Sequence, residues 1–217
     1  MIRPGEEWGS ATAEPPDREV SGDDADLARA LAGAPTGVLV RYRPSTASDL
    51  ARAVGVGQTA TGDVAVPLDL LRLDAGGGVA VNAVVLGVAP DRLRWWHRRG
   101  GVEVEIDGRS AFAGRASTVA VLNGQYLRAA DLSPRGHPGD GSAEVQIYAL
   151  AGSQRGGMRR RLRTGSHLPH PDIATRRGKR VTVRFPRPVP LEVDGRPAGR
   201  TASLEIDVLP AAYRLLV

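Results

Sequence analysis

From Val64 onward the chain is cut into short runs rich in Val, Leu and Ile: "VAVPLDLLRLD", "GVAVNAVVLGV", "GVEVEIDGRSA", "STVAVLNGQYL", "AEVQIYAL", "KRVTVRFP", "PLEVDGRPA", "ASLEIDVL" and "YRLLV". Most are bounded by Gly, Pro, Asp or Asn, and several alternate apolar and polar residues, which sends one face of an extended strand inward. Regularly spaced short strands of this kind predict an antiparallel sandwich or barrel. The clearest joint is "PLEVDGRPAG", where Asp194-Gly195 favours the tight turn of a β-hairpin. Helical patterning is nearly absent here, with "DRLRWWHRR" and "MRRRLR" the only short candidates.

The first part of the chain reads differently. Residues 1–23 carry Pro15-Pro16, many acids and no periodicity, the composition of a disordered acidic tail. "DDADLARALAGA" then opens with Asp residues suited to an N-cap, places Leu27, Ala30 and Leu31 at helical spacing, and reaches Gly33 as a stop. "TGVLVRYRP" is a short strand closed by Pro44. "STASDLARAVGVG" is a second helix that Ser45 or Thr46 can cap and Gly55 can end. The expected fold is therefore α+β and mostly β. A small α/β piece over residues 24–63 is followed by an antiparallel β-sandwich over 64–217.

With 217 residues, of which 41% are apolar, the chain can bury a proper core, but at 4% aromatic content Val, Leu and Ala must fill it. There is no cysteine, hence no disulfide framework and no thiolate zinc site. No apolar run approaches the roughly 20 residues needed to span a bilayer, and the polar start does not resemble a signal peptide. The expectation is a cytoplasmic protein, with a place at the membrane periphery left open.

The net charge of +5 hides a polarity along the chain. Before Leu27, Glu6, Glu7, Glu14, Asp17, Glu19, Asp23, Asp24 and Asp26 face only Arg3 and Arg18. Between Arg155 and Arg184 the balance reverses, and ten basic residues, Arg159, Arg160 and Arg161 among them, face Asp172 alone. Such a block attracts phosphate, on lipid headgroups or nucleic acid, or else is a set of solvated loops.

No nucleophile elbow of the G-x-S-x-G type appears, and Gly76 to Gly78 lie in a hairpin-like connection without the following helix that a phosphate loop needs. His167 and His170 in "HLPH" form a weak metal candidate, because Pro169 between them argues for an irregular loop.

The order of segments resembles the diacylglycerol kinase and sphingosine kinase type lipid kinases, especially the bacterial members. "PSTASDLARAVGV" is similar to the family segment G-T-G-N-D-F/L-A-R-x-L-G, with Thr46, Asp49, Ala51, Arg52 and Gly55 agreeing. "PLDLLRL" followed by "VNAVVLGVAPD" resembles the start of the family's β-domain, with Asp69, Asn82 and Gly87 in place. "VEVEIDGRSAFAGRASTVAVLNGQYL" and the strands after it resemble the central hairpins. "LEVDGRPAG" with "LEIDVLPAAYRLLV" resembles the C-terminal V-D-G-E hairpin and last strands. The resemblance spans about 170 residues, the range over which such a two-layer domain is usually built. It implies an N-terminal nucleotide-binding lobe, a C-terminal β-sandwich that shapes the lipid site, and transfer of a nucleotide γ-phosphate to a lipid hydroxyl. It also implies that Thr46 and Asp49 are remnants of the nucleotide segment, that Asp194 stands at the catalytic hairpin, and that Asp140 matches a structural metal-type aspartate. Asp140-Gly141 equally suits a plain turn.

Three departures decide the reading. The family's G-G-D-G-T motif has no counterpart in this sequence, so the nucleotide lobe is expected to be largely missing. G-T-G-N-D has become Ser45-Thr46-Ala47-Ser48-Asp49, adding Cβ atoms where the backbone must approach phosphate. D-G-E has become Asp194-Gly195-Arg196, and a guanidinium cannot act as a general base. The leading expectation is a degenerate, catalytically inactive lipid-kinase-like module that binds a lipid or amphiphile or regulates a partner. Arg196 with Arg159, Arg160 and Arg161 would take an anionic headgroup or membrane surface, and Arg196 could otherwise pair with an acid such as Glu205. Neither a metal nor a nucleotide cofactor is then required. Second ranks a working lipid kinase whose nucleotide lobe comes from a partner chain, with Mg²⁺ and ATP as its cofactors. A nucleic-acid-binding protein ranks last, because Phe185 is the only aromatic near the basic block. A protein partner or self-association fits the first two readings.

Overall fold

The computed structural model describes residues 8–56, 64–74 and 78–217. In chain order the elements are β1 (Ser10–Ala11), β2 (Arg18–Gly22), α1 (Asp24–Leu31), β3 (Val38–Pro44), α2 (Asp49–Val54), β4 (Val64–Leu73), β5 (Val79–Ala80) and β6 (Ala83–Gly87). They continue with β7 (Gly100–Ile106), β8 (Arg109–Ala116), β9 (Thr118–Leu122), β10 (Tyr126–Leu127), β11 (Ala130–Asp131), β12 (Ala143–Tyr148), α3 (Arg155–Arg161), β13 (Ile173–Gly178), β14 (Arg180–Val193) and β15 (Arg196–Leu216). The chain is α+β and mostly β, as its patterning predicts.

Thirteen strands form one hydrogen-bonded sheet along the path β1-β4-β15-β14-β6-β9-β12-β13, with β7 and β8 added on β14 and with β3 and β2 added on β15. β14 holds this sheet together across two layers. Its first half pairs with β7 and its last residues, Leu191 to Val193, pair with β6. Between them the register slips from Arg184 to Val189. Pro186, Pro188 and Pro190 lie in or beside that slip, where the missing N–H groups break the ladder and let the strand bend into the other layer. The sequence pattern splits this stretch into two strands, "KRVTVRFP" and "PLEVDGRPA"; the prolines bend it without ending it. "ASLEIDVL" and "YRLLV" likewise join in β15, which carries a register shift between Leu209 and Tyr213 around Ala211 at φ 48°.

The inner faces of the two layers make the main core. Val84, Leu86, Val119, Val121, Val145 and Ile147 of one layer meet Val102, Val104, Val181, Val183, Leu204 and Ile206 of the other. β4 is buried on both sides: Leu71 and Leu73 enter this core, while Val66, Leu68 and Leu70 point to a second one with Leu27, Leu31 and Leu50 of the helices and Tyr213 and Leu215 of β15. The outer face of β6 and β9 is covered by Leu93, Leu132, Met158 and Leu162 in a third cluster. The small α/β piece is thus welded to the sandwich through shared strands, and β3 runs parallel to β15.

Two expectations are corrected. The acidic stretch before α1 is not a disordered tail where the structure describes it: β1 pairs with β4, and β2 runs parallel to β3 with Val20 opposite Tyr42. Its acids serve as partners, since Asp17 accepts from Leu39 N at 2.8 Å and Glu19 pairs with Arg41 at 3.1 Å. "DRLRWWHRR" does not form an α-helix but a single 3₁₀ turn, Pro90–Arg92, followed by an irregular loop. "MRRRLR" does contribute to a helix, α3. Among the described residues no helix is long and apolar enough to cross a membrane.

Because β15 belongs to both major cores, Leu215→Ala and Ile206→Ala should each cost about 2–5 kcal/mol and shift the same single transition in urea-induced unfolding. Separate early unfolding of the α1–α2 region in the Leu215→Ala protein would contradict this coupling.

Candidate functional site

The two central residues of the β14–β15 turn, Asp194 and Gly195, have φ of 47° and 77°, which is the two-residue hairpin turn that Asp-Gly favours. The buried Asp194 carboxylate accepts from the amides of Val81, Asn82 and Ala83, each at 2.9 Å. Asp194 N in turn donates to Ala83 O at 2.8 Å. The turn is thereby riveted to the entry of β6. Burial pushes the Asp194 carboxyl up to about 6 against the pull of those three amides.

Arg196 does not reach Glu205, which lies beside Arg180 instead. It donates through Nη2 to Asp23 at 2.6 Å and to Asp26 at 3.2 Å. Asp23 is the N-cap of α1, accepting from Ala25 N and Asp26 N, and Asp26 closes the box on Asp23 N. The cation that replaces the expected carboxylate is therefore a clamp between the hairpin and the start of α1. Arg29 and Arg196 hold Asp26 down at about 2.

Asp24, the next residue, points inward and caps α2 from outside: its carboxylate accepts from Ser48 Oγ at 2.6 Å and from Asp49 N and Leu50 N at 3.1 Å. Burial, with Asp194 and Asp49 nearby, raises its carboxyl to about 7. Asp49 accepts from Arg128 N and from Ala129 N, the latter at 2.8 Å. These two residues join β10 to β11 in the left-handed region, at φ 49° and 60°, and the carboxylate holds that strained turn. Arg128 is then clamped from the other side by Asp91, at 2.6 and 2.9 Å, and by Glu192. Arg92 joins Glu192 at 3.4 Å. The elements expected to bear chemistry do converge, but each acid among them already has a partner. Thr46 is exposed and takes no side-chain part in the network.

Beside this network lies a groove of about 260 Å³ lined by Ala25, Ala28, Ala32, Val79, Val193, Pro197 and Ala198 together with Arg29, Asp194 and Arg196. It is the place where α1 and the hairpin meet.

The remaining expected site residues are scattered. Asp140 accepts from Ser142 N and Oγ in a turn and pairs with Arg177. Among the described residues no set of three or more His, Cys, Asp or Glu is placed to hold a metal. His167 is buried, with its imidazole pushed down to about 4, and His170 accepts from Asp172 N. Gly78 is described, but the rest of the glycine run 76–78 lies outside the described residues. The basic block divides in three. Arg177, Arg180 and Arg184 pair with Asp140, Asp207 and Glu105. Arg155 is buried and donates to carbonyl oxygens and to Ser117 Oγ. Arg159, Arg160 and Arg161 sit in the last turn of α3, away from Arg196 in sequence and with no carboxylate within ion-pair distance among the described residues. Sequence reasoning missed Arg128, Asp91 and Glu192. Nothing local marks Arg128-Ala129 as a left-handed pair, since neither residue is Gly or Asn.

Comparison with known proteins agrees with this architecture. Residues 88–217 match the profile of the YegS C-terminal NAD kinase beta sandwich-like domain. A diacylglycerol kinase from Bacillus anthracis str. Sterne superposes with a TM-score of 0.72 at 18% identity, covering 92% of this chain and 76% of its own. An NAD kinase from Archaeoglobus fulgidus, solved in complex with ATP, gives 0.51 at 12% identity over 93% of this chain and 78% of its own. Yeast NADH kinase, complexed with NADH, gives 0.54 at 12% identity over 93% of this chain and 61% of its own. No curated protein matches the chain.

Asp24 sets a pH dependence. The unfolded chain releases this proton near 3.8, whereas the folded chain keeps it to about 7. The folded form thus binds more protons across that window, and its advantage, complete below the lower value, is lost as pH rises through the upper one. Thermal melts from pH 4 to 8 should show Asp24→Asn gaining stability relative to the parent as pH rises. A difference that stays flat would contradict the assignment.

Proposed function

This chain belongs to the family of the YegS C-terminal NAD kinase beta sandwich-like domain, and from that premise we propose that it is a catalytically inactive, lipid-kinase-like module that binds a lipid or another amphiphile. One observation carries the reading. At the hairpin position where the resemblance expects a carboxylate stands Arg196, a permanent cation clamped by Asp23 and Asp26.

The surrounding acids support it. Phosphoryl transfer needs a carboxylate free to orient or deprotonate the attacking hydroxyl and others to hold the metal. Asp194 is committed to three amides, Asp49 to the Arg128–Ala129 turn, Asp24 to the start of α2, and Asp91 and Glu192 to Arg128. These residues do not fit a magnesium–nucleotide complex. What the site offers is the groove beside them, lined by alanine, valine and proline together with Arg29 and Arg196. An apolar tail along Ala28, Ala32 and Val193 with an uncharged polar head beside the Arg29–Asp26–Arg196 cluster satisfies both halves.

A second reading, an ATP-dependent lipid kinase completed by a partner's nucleotide lobe, has one observation in its favour: the fold shared with the Archaeoglobus fulgidus NAD kinase solved with ATP. It requires Arg128 to release Asp91 or Glu192.

Titration with a soluble short-chain diacylglycerol and its phosphorylated counterpart, followed by amide NMR shifts, tests the first reading. Shifts should concentrate at Ala28, Ala32, Val193 and Ala198, and Ala198→Trp, which fills the groove from an exposed position, should weaken binding about tenfold or more. Shifts elsewhere, or equal binding by Ala198→Trp, would sink it.

A further inference from the structure

Trp95 and Trp96 are 73% and 57% exposed, the large apolar side chains that the described structure leaves open. Paired indoles on a surface are uncommon enough to ask what covers them. They follow the 3₁₀ turn Pro90–Arg92, in a loop that is fixed from beneath. The buried Arg155 guanidinium donates to the carbonyl oxygens of Arg94, at 2.8 Å, and of His97. Arg94 N donates to His97 Nδ1 at 2.9 Å, and a Cβ on Gly152 would come within 2.8 Å of the Trp95 carbonyl oxygen. The two indoles are therefore held outward by a built turn, edge to face with ring centroids 5.6 Å apart and planes at 88°.

The charge around them is one-sided. Arg155 opens α3, so the same contact that fixes the loop sets α3 beside it. Arg98 and Arg99 in the loop and Arg160 and Arg161 on α3 are exposed. None of the four has a carboxylate within ion-pair distance among the described residues; Arg177, Arg180 and Arg184 of β13 and β14 do, while Arg176 and Arg187 of the same strands do not.

We propose that this end of the molecule docks on an anionic phospholipid bilayer, with Trp95 and Trp96 seated at headgroup level and the unpaired arginines on the phosphates. Indoles, apolar in body with one polar N–H, favour that depth, and basic groups beside them gain from the surface potential of acidic lipids. The edge-to-face pair leaves no parallel slot in which a base could stack between the rings, and a single aromatic pair is not the tracking groove that single-stranded nucleic acid uses. The inference rests on the lipid-binding reading above only in choosing a bilayer as the partner. Asp91 and Arg92, at the edge of the candidate site, lead directly into the loop, so docking would bring that site to the membrane.

The test uses the full chain with phosphatidylcholine vesicles, with and without phosphatidylglycerol, by co-sedimentation and by quenching of tryptophan emission with brominated lipid. The parent should bind the phosphatidylglycerol vesicles selectively and lose binding as salt rises. The Trp95→Ser/Trp96→Ser protein, altered at exposed positions, should bind roughly tenfold more weakly or worse, with an unchanged melting curve and unchanged NMR shifts from soluble diacylglycerol. Arg98→Ser/Arg99→Ser should lose the lipid selectivity. Equal vesicle binding by the tryptophan variant, or tighter binding of the parent to a single-stranded oligonucleotide than to vesicles, would overturn the proposal. A groove that fails to bind diacylglycerol while vesicle binding stands would sink the reading of the groove and leave this one intact.

Discussion

The carboxylate of Asp194 is the point on which the rest of the structure turns. A single side chain accepts from three consecutive backbone amides at the entry of β6, while sitting at the first of the two left-handed positions of a hairpin turn more than a hundred residues away in sequence. Unpaired, those amides and that acid would each be costly to bury; together they satisfy one another. Their bond fixes where the end of β14 meets β6, which is where the strand crosses between layers. It also fixes where Glu192 and Arg196 emerge on either side of the turn. Glu192 faces Arg128 and Arg196 faces the cap of α1, so the position of one turn decides the two ion-pair clusters of the candidate site.

Arginine does most of the polar work elsewhere. Lys179 is the only lysine in the sequence, and the planar guanidinium, with several donors at fixed angles, suits positions where one cation must bridge two partners. Arg128 bridges Asp91 and Glu192, Arg196 bridges Asp23 and Asp26, and Arg155 ties Leu150, Arg94, His97 and Ser117 together without a carboxylate at all. The positive charge that appears as one block in the sequence is therefore three different things in space: internal scaffolding, paired surface charge on the strands, and an unpaired patch around α3.

How much of this was legible in the sequence follows from range. Period-two strands, the Asp194-Gly195 turn and the two helices are local, and local chemistry announced them, although the cap of α2 is Ser48, three residues into the polar run, and not Ser45 or Thr46. The resemblance to lipid kinases was legible too, because it rests on ordered short motifs, and the family profile over residues 88–217 bears it out. The acidic stretch misled because charge density there looks like solvation, whereas Asp17 and Glu19 are partners for Leu39 N and Arg41 about twenty residues on. Proline in β14 suggested a break because the rule concerns ladder hydrogen bonds, and here the prolines fall at a register slip where such bonds are missing anyway. Arg128 was invisible: its partners Asp49, Asp91 and Glu192 come from three separate segments, and its backbone conformation carries no glycine to mark it.

The proposed function turns on the charge of one residue: Arg196 is a cation at the hairpin position where the resemblance implies a carboxylate. Arg196 joins the start of α1 to the hairpin, and every nearby acid is held by an amide or a guanidinium, leaving an apolar groove without a free base. The direct measurement is transfer of label from γ-³²P-ATP with Mg²⁺ to diacylglycerol in mixed micelles by the purified chain. The account predicts no labelled lipid above the protein-free blank, with Arg196→Glu no better. Labelled lipid formed by the parent chain and abolished by Asp194→Asn or Asp91→Asn would contradict it.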